Sequence, residues 1–139
     1  MAQDYQFHHL AIIAKSYDKT VDWYCRHFGF TVAQEWTASD MLPGARMCYL
    51  RKGDFFMEII GDGDKIGHHS VAADPKQEYQ ITGYRHFALE VDDVDAAVAE
   101  LAAGGVPAFF PPTDLDVVGV RAALVHDPDG NAVELIQWL

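Results

Sequence analysis

The chain has 139 residues, half of them hydrophobic, which is enough for one domain with a sizeable core. Its 21 acidic residues outnumber 10 basic ones, and the net charge of -11 repels nucleic-acid phosphates and anionic membrane surfaces. No apolar run is long enough to span a bilayer, and the first residues lack the features of a secretion signal. The composition therefore excludes nucleic acid and membranes as partners and predicts a cytoplasmic protein. Cys25 and Cys48 are expected to be free thiols.

The first half of the chain reads as one strand, one helix and three further strands. Residues 7–14 alternate as a strand, and Ser16 is the predicted N-cap of a helix that stops at Gly29. The turn residues Lys52-Gly53-Asp54 join the last two strands into a hairpin. The three strands are expected at about 30–37, 46–51 and 55–60. The pattern predicts a βαβββ module over residues 5–61.

The second half repeats this order after a linker at 62–83 that is rich in Gly, Asp, His and Lys. The linker is a candidate lid or a solvated loop, and it contains His68 and His69. Residues 85–91 alternate as a strand, and Asp93 is the predicted N-cap of a helix that ends at Gly104-Gly105. Three strands are expected at 107–110, 120–126 and 132–138, the last two joined by Asp127-Pro128-Asp129-Gly130-Asn131. A second βαβββ module therefore covers residues 84–139.

The two modules also align residue by residue. At an offset of 77 positions His9-Leu10-Ala11-Ile12 falls on His86-Phe87-Ala88-Leu89, and Asp18 falls on Asp95. At an offset of 76 positions the strand around Glu58 falls on the strand around Glu134. A period of this length indicates two copies of one supersecondary unit. The predicted fold class is α+β, with two βαβββ modules paired around a cavity.

Each module carries one histidine and one glutamate at matched strand positions. Glu58 and Glu134 lie within apolar strands, where an uncompensated carboxylate costs several kcal/mol. Strand alternation places His9 and His86 on the faces that carry small alanines, opposite the apolar faces that helices cover. Two sheets curved toward each other would direct all four side chains into one cavity. His8 is assigned to the helix-packed face, so the repeat register selects His9 as the ligand.

Two imidazoles and two carboxylates form a ligand set for a divalent metal ion. The set suits Zn, Ni, Co, Mn or Fe(II), with positions left for water or substrate oxygens, and it does not choose among these metals. The predicted ligands are His9, Glu58, His86 and Glu134.

These motifs resemble the vicinal oxygen chelate superfamily, which includes glyoxalase I, methylmalonyl-CoA epimerase, extradiol dioxygenases, and fosfomycin- and bleomycin-resistance proteins. The most specific segments are His86-Phe87-Ala88-Leu89-Glu90-Val91-Asp92-Asp93-Val94 and Asp127-Pro128-Asp129-Gly130-Asn131-Ala132-Val133-Glu134-Leu135. The resemblance implies a U-shaped mixed β-sheet cavity with a divalent ion at its base that chelates two neighbouring substrate oxygens. The family's ligand positions map onto the four residues proposed above.

Four ligating residues are typical of the glyoxalase I and epimerase branch rather than of the three-ligand branches. The resemblance therefore implies a lyase, isomerase or epimerase that transfers a proton next to the carbonyl of a small metabolite, with Glu134 or Glu58 as the base and Glu134 favoured. The first strand, Leu10–Ala14, lacks the arginine that glyoxalase I commonly uses for glutathione, so glutathione is not expected to be the thiol. A homodimer is expected because the family's open sheets usually need covering.

Two other function classes stay open. One is an extradiol-type ring-cleaving dioxygenase that uses Fe(II), and the other is a small-molecule-binding resistance protein with aromatic stacking surfaces. Candidate substrate contacts are two arginines at equivalent strand positions and two aromatic residues: Arg46, Arg121, Phe56 and Trp36. For the binding protein, the stacking surfaces would be Trp23, Trp36, Phe56 and Phe110.

Overall fold

Each half of the chain folds into the strand, helix and three-strand order that its periodicity predicts. The computed structural model describes residues 2–67 and 70–139, and the chain divides into two units, Met1–Gly67 and His68–Leu139. The first unit contains β1 (Leu10–Ala14), α1 (Tyr17–Phe28), β2 (Thr31–Trp36), β3 (Ala45–Lys52) and β4 (Phe55–Asp62). The second contains α2 (Pro75–Glu78), β5 (His86–Glu90), α3 (Val94–Ala103), β6 (Ala108–Leu115), β7 (Val120–His126) and β8 (Ala132–Trp138).

Each unit forms a four-stranded mixed sheet. The strand orders are β1-β4-β3-β2 and β5-β8-β7-β6, with the first pair of each order parallel and the remaining pairs antiparallel. The parallel pairs form because a helix connects β1 to the rest of its sheet, and likewise β5. The α+β class and the two βαβββ modules are therefore confirmed.

The two long helices begin at the predicted capping residues. The Ser16 side chain accepts a hydrogen bond from the Lys19 N–H, and the Asp93 side chain accepts one from the Ala96 N–H. Such caps satisfy backbone donors that a helix start would otherwise leave free. Gly29 ends α1 in the left-handed conformation, at φ 68°, which glycine adopts without steric cost.

In the first unit, one face of β1 is buried and the other is exposed. In β1, Ile12 and Ala14 are buried while Ala11 and Ile13 are exposed. The buried face continues on β3 and β4 through Leu50, Met57 and Ile59, none of which is accessible to solvent. This alternation fixes which side chains of each strand face away from the core.

The structure differs from the sequence-based expectation at three places. The strand expected at 107–110 extends to Leu115, because its pairing with β7 continues to Val120. β1 begins at Leu10, so His9 precedes the strand. The predicted linker contains the short helix α2, which Asp74 caps and which has Pro75 in its first turn. The boundary between the units falls within that linker, and the described residues from 70 onward belong to the second unit.

Among the described residues, no helix has the length and apolar character needed to cross a membrane.

Candidate metal centre

The first unit places His9 and Glu58 side by side on the open face of its sheet. Glu58 lies opposite Ala11 in the parallel pairing of β1 and β4, and His9 is two residues before Ala11. The His9 Nε2 atom is 3.0 Å from the Glu58 Oε2 atom. The side chains are 29% and 17% exposed, respectively, so the pair is partly shielded but still reached by solvent.

The second unit repeats this arrangement with His86 and Glu134. Glu134 lies opposite Ala88 in the parallel pairing of β5 and β8. The His86 Nε2 atom is 3.2 Å from the Glu134 Oε2 atom, and the side chains are 27% and 13% exposed. The hydrogen bond to Glu134 raises the pKa of His86 and outweighs partial burial, which acts in the opposite direction. Both units therefore present a histidine and a glutamate in the same geometry.

Each pair fits two coordination positions of a small divalent ion. Nitrogen and oxygen ligands bind such ions at about 2.0–2.2 Å, so two neighbouring ligands lie roughly 3 Å apart. The separations of 3.0 and 3.2 Å match this spacing. Within the described part of either unit, no group of three or more His, Cys, Asp or Glu side chains is positioned to hold a metal ion. Each unit thus presents one pair of ligand-type side chains.

An aromatic cluster surrounds the first pair. The Tyr49 ring lies 5.4 Å from the His9 ring, 4.8 Å from Trp36 and 6.1 Å from Phe56. Tyr49 also lies opposite Glu58 in the hairpin of β3 and β4. The predicted substrate contacts Trp36 and Phe56 therefore both lie against Tyr49, whose ring is beside His9. Tyr49 was missed, although the turn at Lys52-Gly53-Asp54 fixes a hairpin register that pairs residue 49 with residue 58.

His8 lies on the same side as His9, which corrects its assignment to the helix-packed face. Its ring lies 5.9 Å from Tyr49 and 6.3 Å from Phe56, both on the Glu58 face. The Nδ1 atoms of His8 and His9 are 2.7 Å apart, within hydrogen-bonding distance. The assignment was wrong because strand alternation was extended past Leu10, where β1 begins.

The two arginines tie the helices to the sheets. Arg46 Nη1 donates to Asp18 Oδ1 at 2.9 Å, and Arg121 Nε donates to Asp95 Oδ2 at 2.6 Å. Asp18 and Asp95 occupy the first turns of α1 and α3, so the same ion pair occurs in both modules. Arg121 also donates to Asp114 Oδ1 at 2.8 Å.

A contribution of these arginines to substrate binding stays a prediction. Arg46 and Trp36 line a cavity of about 220 Å³ in the first unit, together with Tyr17, Glu35, Thr37 and Met47. The candidate lid residues His68 and His69 lie outside the described residues.

Two solved structures with low sequence identity to this chain share its fold. Glyoxalase I from Leishmania major has a TM-score of 0.73 at 21% identity, covering 96% of this chain and 87% of the other. The fosfomycin resistance protein FosX from Listeria monocytogenes, in complex with Mn(II) and sulfate, has a TM-score of 0.66 at 16% identity over 100% and 95% of the two chains.

Two other proteins are more similar to this chain in sequence. The chain is 33% identical to the uncharacterized protein YaeR of Escherichia coli over 134 residues, 95% of each chain. It is similar to the crystal structure of SMU.1112c, with a TM-score of 0.77 and 30% identity over 96% of this chain and 99% of the other. The family model described as Glyoxalase/Bleomycin resistance protein/Dioxygenase superfamily matches residues 6–135. The chain therefore belongs to the glyoxalase, bleomycin resistance protein and dioxygenase superfamily.

Proposed function

We propose that this chain is a divalent-metal-dependent enzyme of the glyoxalase I type, a lyase, isomerase or epimerase that transfers a proton next to a carbonyl. His9, Glu58, His86 and Glu134 would hold one ion of Zn, Ni, Co, Mn or Fe. The observation that supports this most strongly is the same histidine–glutamate geometry in both units, with separations of 3.0 and 3.2 Å. The Mn(II) complex of the related FosX fold is consistent with a metal on this scaffold.

The bound ion would supply electrostatic stabilisation of the negative charge that develops on a substrate with two adjacent oxygens. The protein's own contribution is the base and the substrate contacts. A carboxylate can accept a proton from a C–H next to a carbonyl when it lies within hydrogen-bonding reach of that carbon. We assign this role to Glu134, with Glu58 as the alternative.

The aromatic cluster of Trp36, Tyr49 and Phe56 would contact an apolar part of the substrate beside His9. β1 carries no basic residue between Leu10 and Ala14, so we do not expect it to bind the carboxylate of a glutathione thioester or hemithioacetal. The proposed substrate is a small 2-oxo or 2-hydroxycarbonyl metabolite.

Proton exchange measured in D2O tests this function. The metal-loaded protein is expected to incorporate deuterium next to the carbonyl of at least one compound in a panel of 2-oxo and 2-hydroxycarbonyl substrates. Glu134→Gln should reduce the exchange rate by about 10²-fold or more, because it removes the proposed general base and also a proposed metal ligand. Glu100→Gln, on the exposed surface of α3, is the matched control and should exchange at the wild-type rate.

Two outcomes would overturn the assignment. Oxygen uptake with ring opening of catechols by the Fe(II)-loaded protein, without proton exchange on any panel compound, would place the chain among the ring-cleaving dioxygenases. Saturable binding of an aromatic compound without turnover or exchange would indicate a small-molecule-binding protein, a function that the aromatic cluster beside His9 would also suit.

We further propose a cytoplasmic homodimer. The open sheet face of the first unit exposes Ile13 by 57% and the edge strand β2 exposes Val32 by 44%, and a second copy would cover such surface. The two free cysteines suit a reducing compartment. Light scattering coupled to size-exclusion chromatography measures the oligomeric state, and a monomer at micromolar concentration would contradict the dimer.

A further inference from the structure

A buried ion pair joins two residues of the segment 70–85, which leads into β5. Arg85 donates from Nε and Nη2 to the two carboxylate oxygens of Glu78, at 3.1 and 2.8 Å. Its Nη1 donates to the Ser70 carbonyl oxygen at 3.0 Å. Only 1% of the Glu78 side chain and 13% of the Arg85 side chain are exposed. A bidentate ion pair this deeply buried restrains the backbone at both residues, because breaking it leaves a desolvated charge.

A second contact fastens the beginning of the segment to the turn before β8. A Cβ atom placed on Gly130 would lie 2.4 Å from Val71 Cγ2, so Val71 packs directly on this glycine. The turn itself is rigid, because Asp127 Oδ1 accepts hydrogen bonds from the N–H groups of Asp129 and Asn131. β8, which carries Glu134, begins directly after this turn. The segment is therefore anchored to the strand that presents one of the candidate ligands.

The ion pair also lies next to the candidate ligand His86. Glu78 immediately precedes Tyr79, and Arg85 immediately precedes His86, so one pair restrains the backbone of both following residues. The Tyr79 ring stands edge-on to the His86 imidazole, with ring centroids 6.5 Å apart and an interplanar angle of 89°. Since 61% of Tyr79 is exposed, burial does little to hold this ring in place. The Glu78–Arg85 pair lies directly before both residues in the chain.

The corresponding position in the first module makes a different contact. The repeat offset of 77 places Arg85 on His8, whose imidazole contacts the candidate ligand His9 directly. In both modules the residue before the ligand histidine therefore helps to define its surroundings. In the second module it does so through Glu78 and Tyr79.

We propose that the Glu78–Arg85 pair acts as a clasp that holds Tyr79 against His86, and that Tyr79 is a positioning residue that restricts the His86 imidazole to its ligating orientation. This inference rests on the proposed metal-binding function. Restricting a ligand's ring before binding reduces the entropy lost when the metal binds.

The clasp is tested first in the metal-free protein by nuclear Overhauser effects between the Tyr79 and His86 rings. Wild-type protein should show these effects, and Arg85→Lys should weaken them, because lysine keeps the charge but cannot form the two-pronged contact. Retained amide signals of β5 to β8 would show that the variant is folded. Tyr84→Ala is the control, because Tyr84 is fully exposed. Ring contacts that are absent in wild type, or unchanged in Arg85→Lys, would overturn the clasp.

The positioning role is tested by titration with Co(II), followed by its visible absorption. Tyr79→Ala should weaken Co(II) binding about threefold to tenfold. Loss of a residue that hydrogen-bonds to a ligating histidine typically weakens metal binding by about tenfold or more, and a ring contact should matter less. Tyr79→Phe should restore wild-type affinity, because the ring contact does not use the hydroxyl. Wild-type affinity in Tyr79→Ala would overturn the positioning role. Wild-type protein that binds no Co(II) would overturn the proposed function. The clasp would still be tested, because the ring contacts are measured in the metal-free protein.

Discussion

Tyr17, the first residue of α1, contacts side chains of β2 and β3 and makes stability depend on pH. Its phenol donates a hydrogen bond to Glu35 on β2, and the Arg46 guanidinium lies 4.1 Å from its ring centre. Only 2% of the residue is exposed. Burial, together with the hydrogen bond to Glu35, raises the pKa of Tyr17 far above its ordinary value near 10.

The raised pKa predicts a loss of stability at alkaline pH. Below about pH 10 Tyr17 is protonated in both states and contributes no pH dependence. Above that value the unfolded chain releases the proton while the folded chain retains it, so the free energy of unfolding falls as the pH rises. Urea unfolding at pH 9 and pH 11 measures this slope, and Tyr17→Phe should show a smaller decrease than wild type. Equal decreases in the two proteins would contradict the assignment.

Gly61 on β4 is required by the close approach of α1. A Cβ atom there would lie 2.5 Å from Tyr17 Cα and 2.6 Å from Tyr17 N. Gly61→Ala is therefore expected to lower the free energy of unfolding by about 2–4 kcal/mol, because backbone must move to admit the methyl group. Chemical denaturation measures the effect.

Gly53→Ala is the matched control for this substitution. No atom lies within 4 Å of the added Cβ, and the cost arises only from the positive φ of 57°, at about 1–2 kcal/mol. An equal decrease in the free energy of unfolding in the two variants would show that the close approach of Tyr17 adds nothing to the effect of Gly61→Ala.

Residue patterns predicted the candidate ligand pairs but not all of their neighbours. Period-two alternation within β4, β5 and β8 places Glu58, His86 and Glu134 on the predicted faces. The same alternation failed for His8, because the chain before Leu10 is not a strand. Tyr79 carries no sequence pattern that indicates a contact with His86, because it lies in an irregular stretch between α2 and β5 that has no periodicity.

At the scale of elements, the start of α3 has two side-chain contacts that can be separated by mutation. Asp93 caps the helix through the Ala96 N–H, and Gln137 Oε1 accepts from the Val94 N–H at 2.9 Å. Asp93→Ala should lower the free energy of unfolding by about 1 kcal/mol, the usual cost of a lost N-cap. Thermal unfolding measures this change.

The control for the cap is Asp93→Asn, which retains a capping oxygen and should lose much less stability. If Asp93→Asn lowers the free energy of unfolding as much as Asp93→Ala does, the effect comes from the lost charge rather than from the lost cap.

Element order was predictable because, in the described part of the chain, both long helices and all eight strands have strong local patterns. Ser16, Asp93 and Gly29 mark helix ends as expected. The helix α2 was missed because four residues are too short to show helical periodicity. The Asp74-Pro75 pair is a local N-terminal signal, yet the buried Glu78–Arg85 contact stabilises this segment through tertiary structure.

Across the whole chain, the repeat places one candidate ligand pair in each unit. Each unit presents one histidine and one glutamate, so the proposed four-ligand ion would need ligands from both units. The sequence repeat predicts this sharing because the ligand types occupy equivalent positions in each copy. Whether one chain or two supply the four residues depends on assembly, which the periodicity of a single chain does not encode.

The proposed sharing predicts one bound ion per chain and equal dependence on both pairs. Glu58→Gln and Glu134→Gln should each abolish tight binding, measured by metal analysis after dialysis, because the remaining ligands hold the ion weakly. Binding to wild type should also raise the melting temperature by mass action. Glu100→Gln, exposed on α3, should retain both the stoichiometry and the thermal shift. Two ions per wild-type chain, with one retained in each ligand variant, would instead show that the pairs bind metal independently.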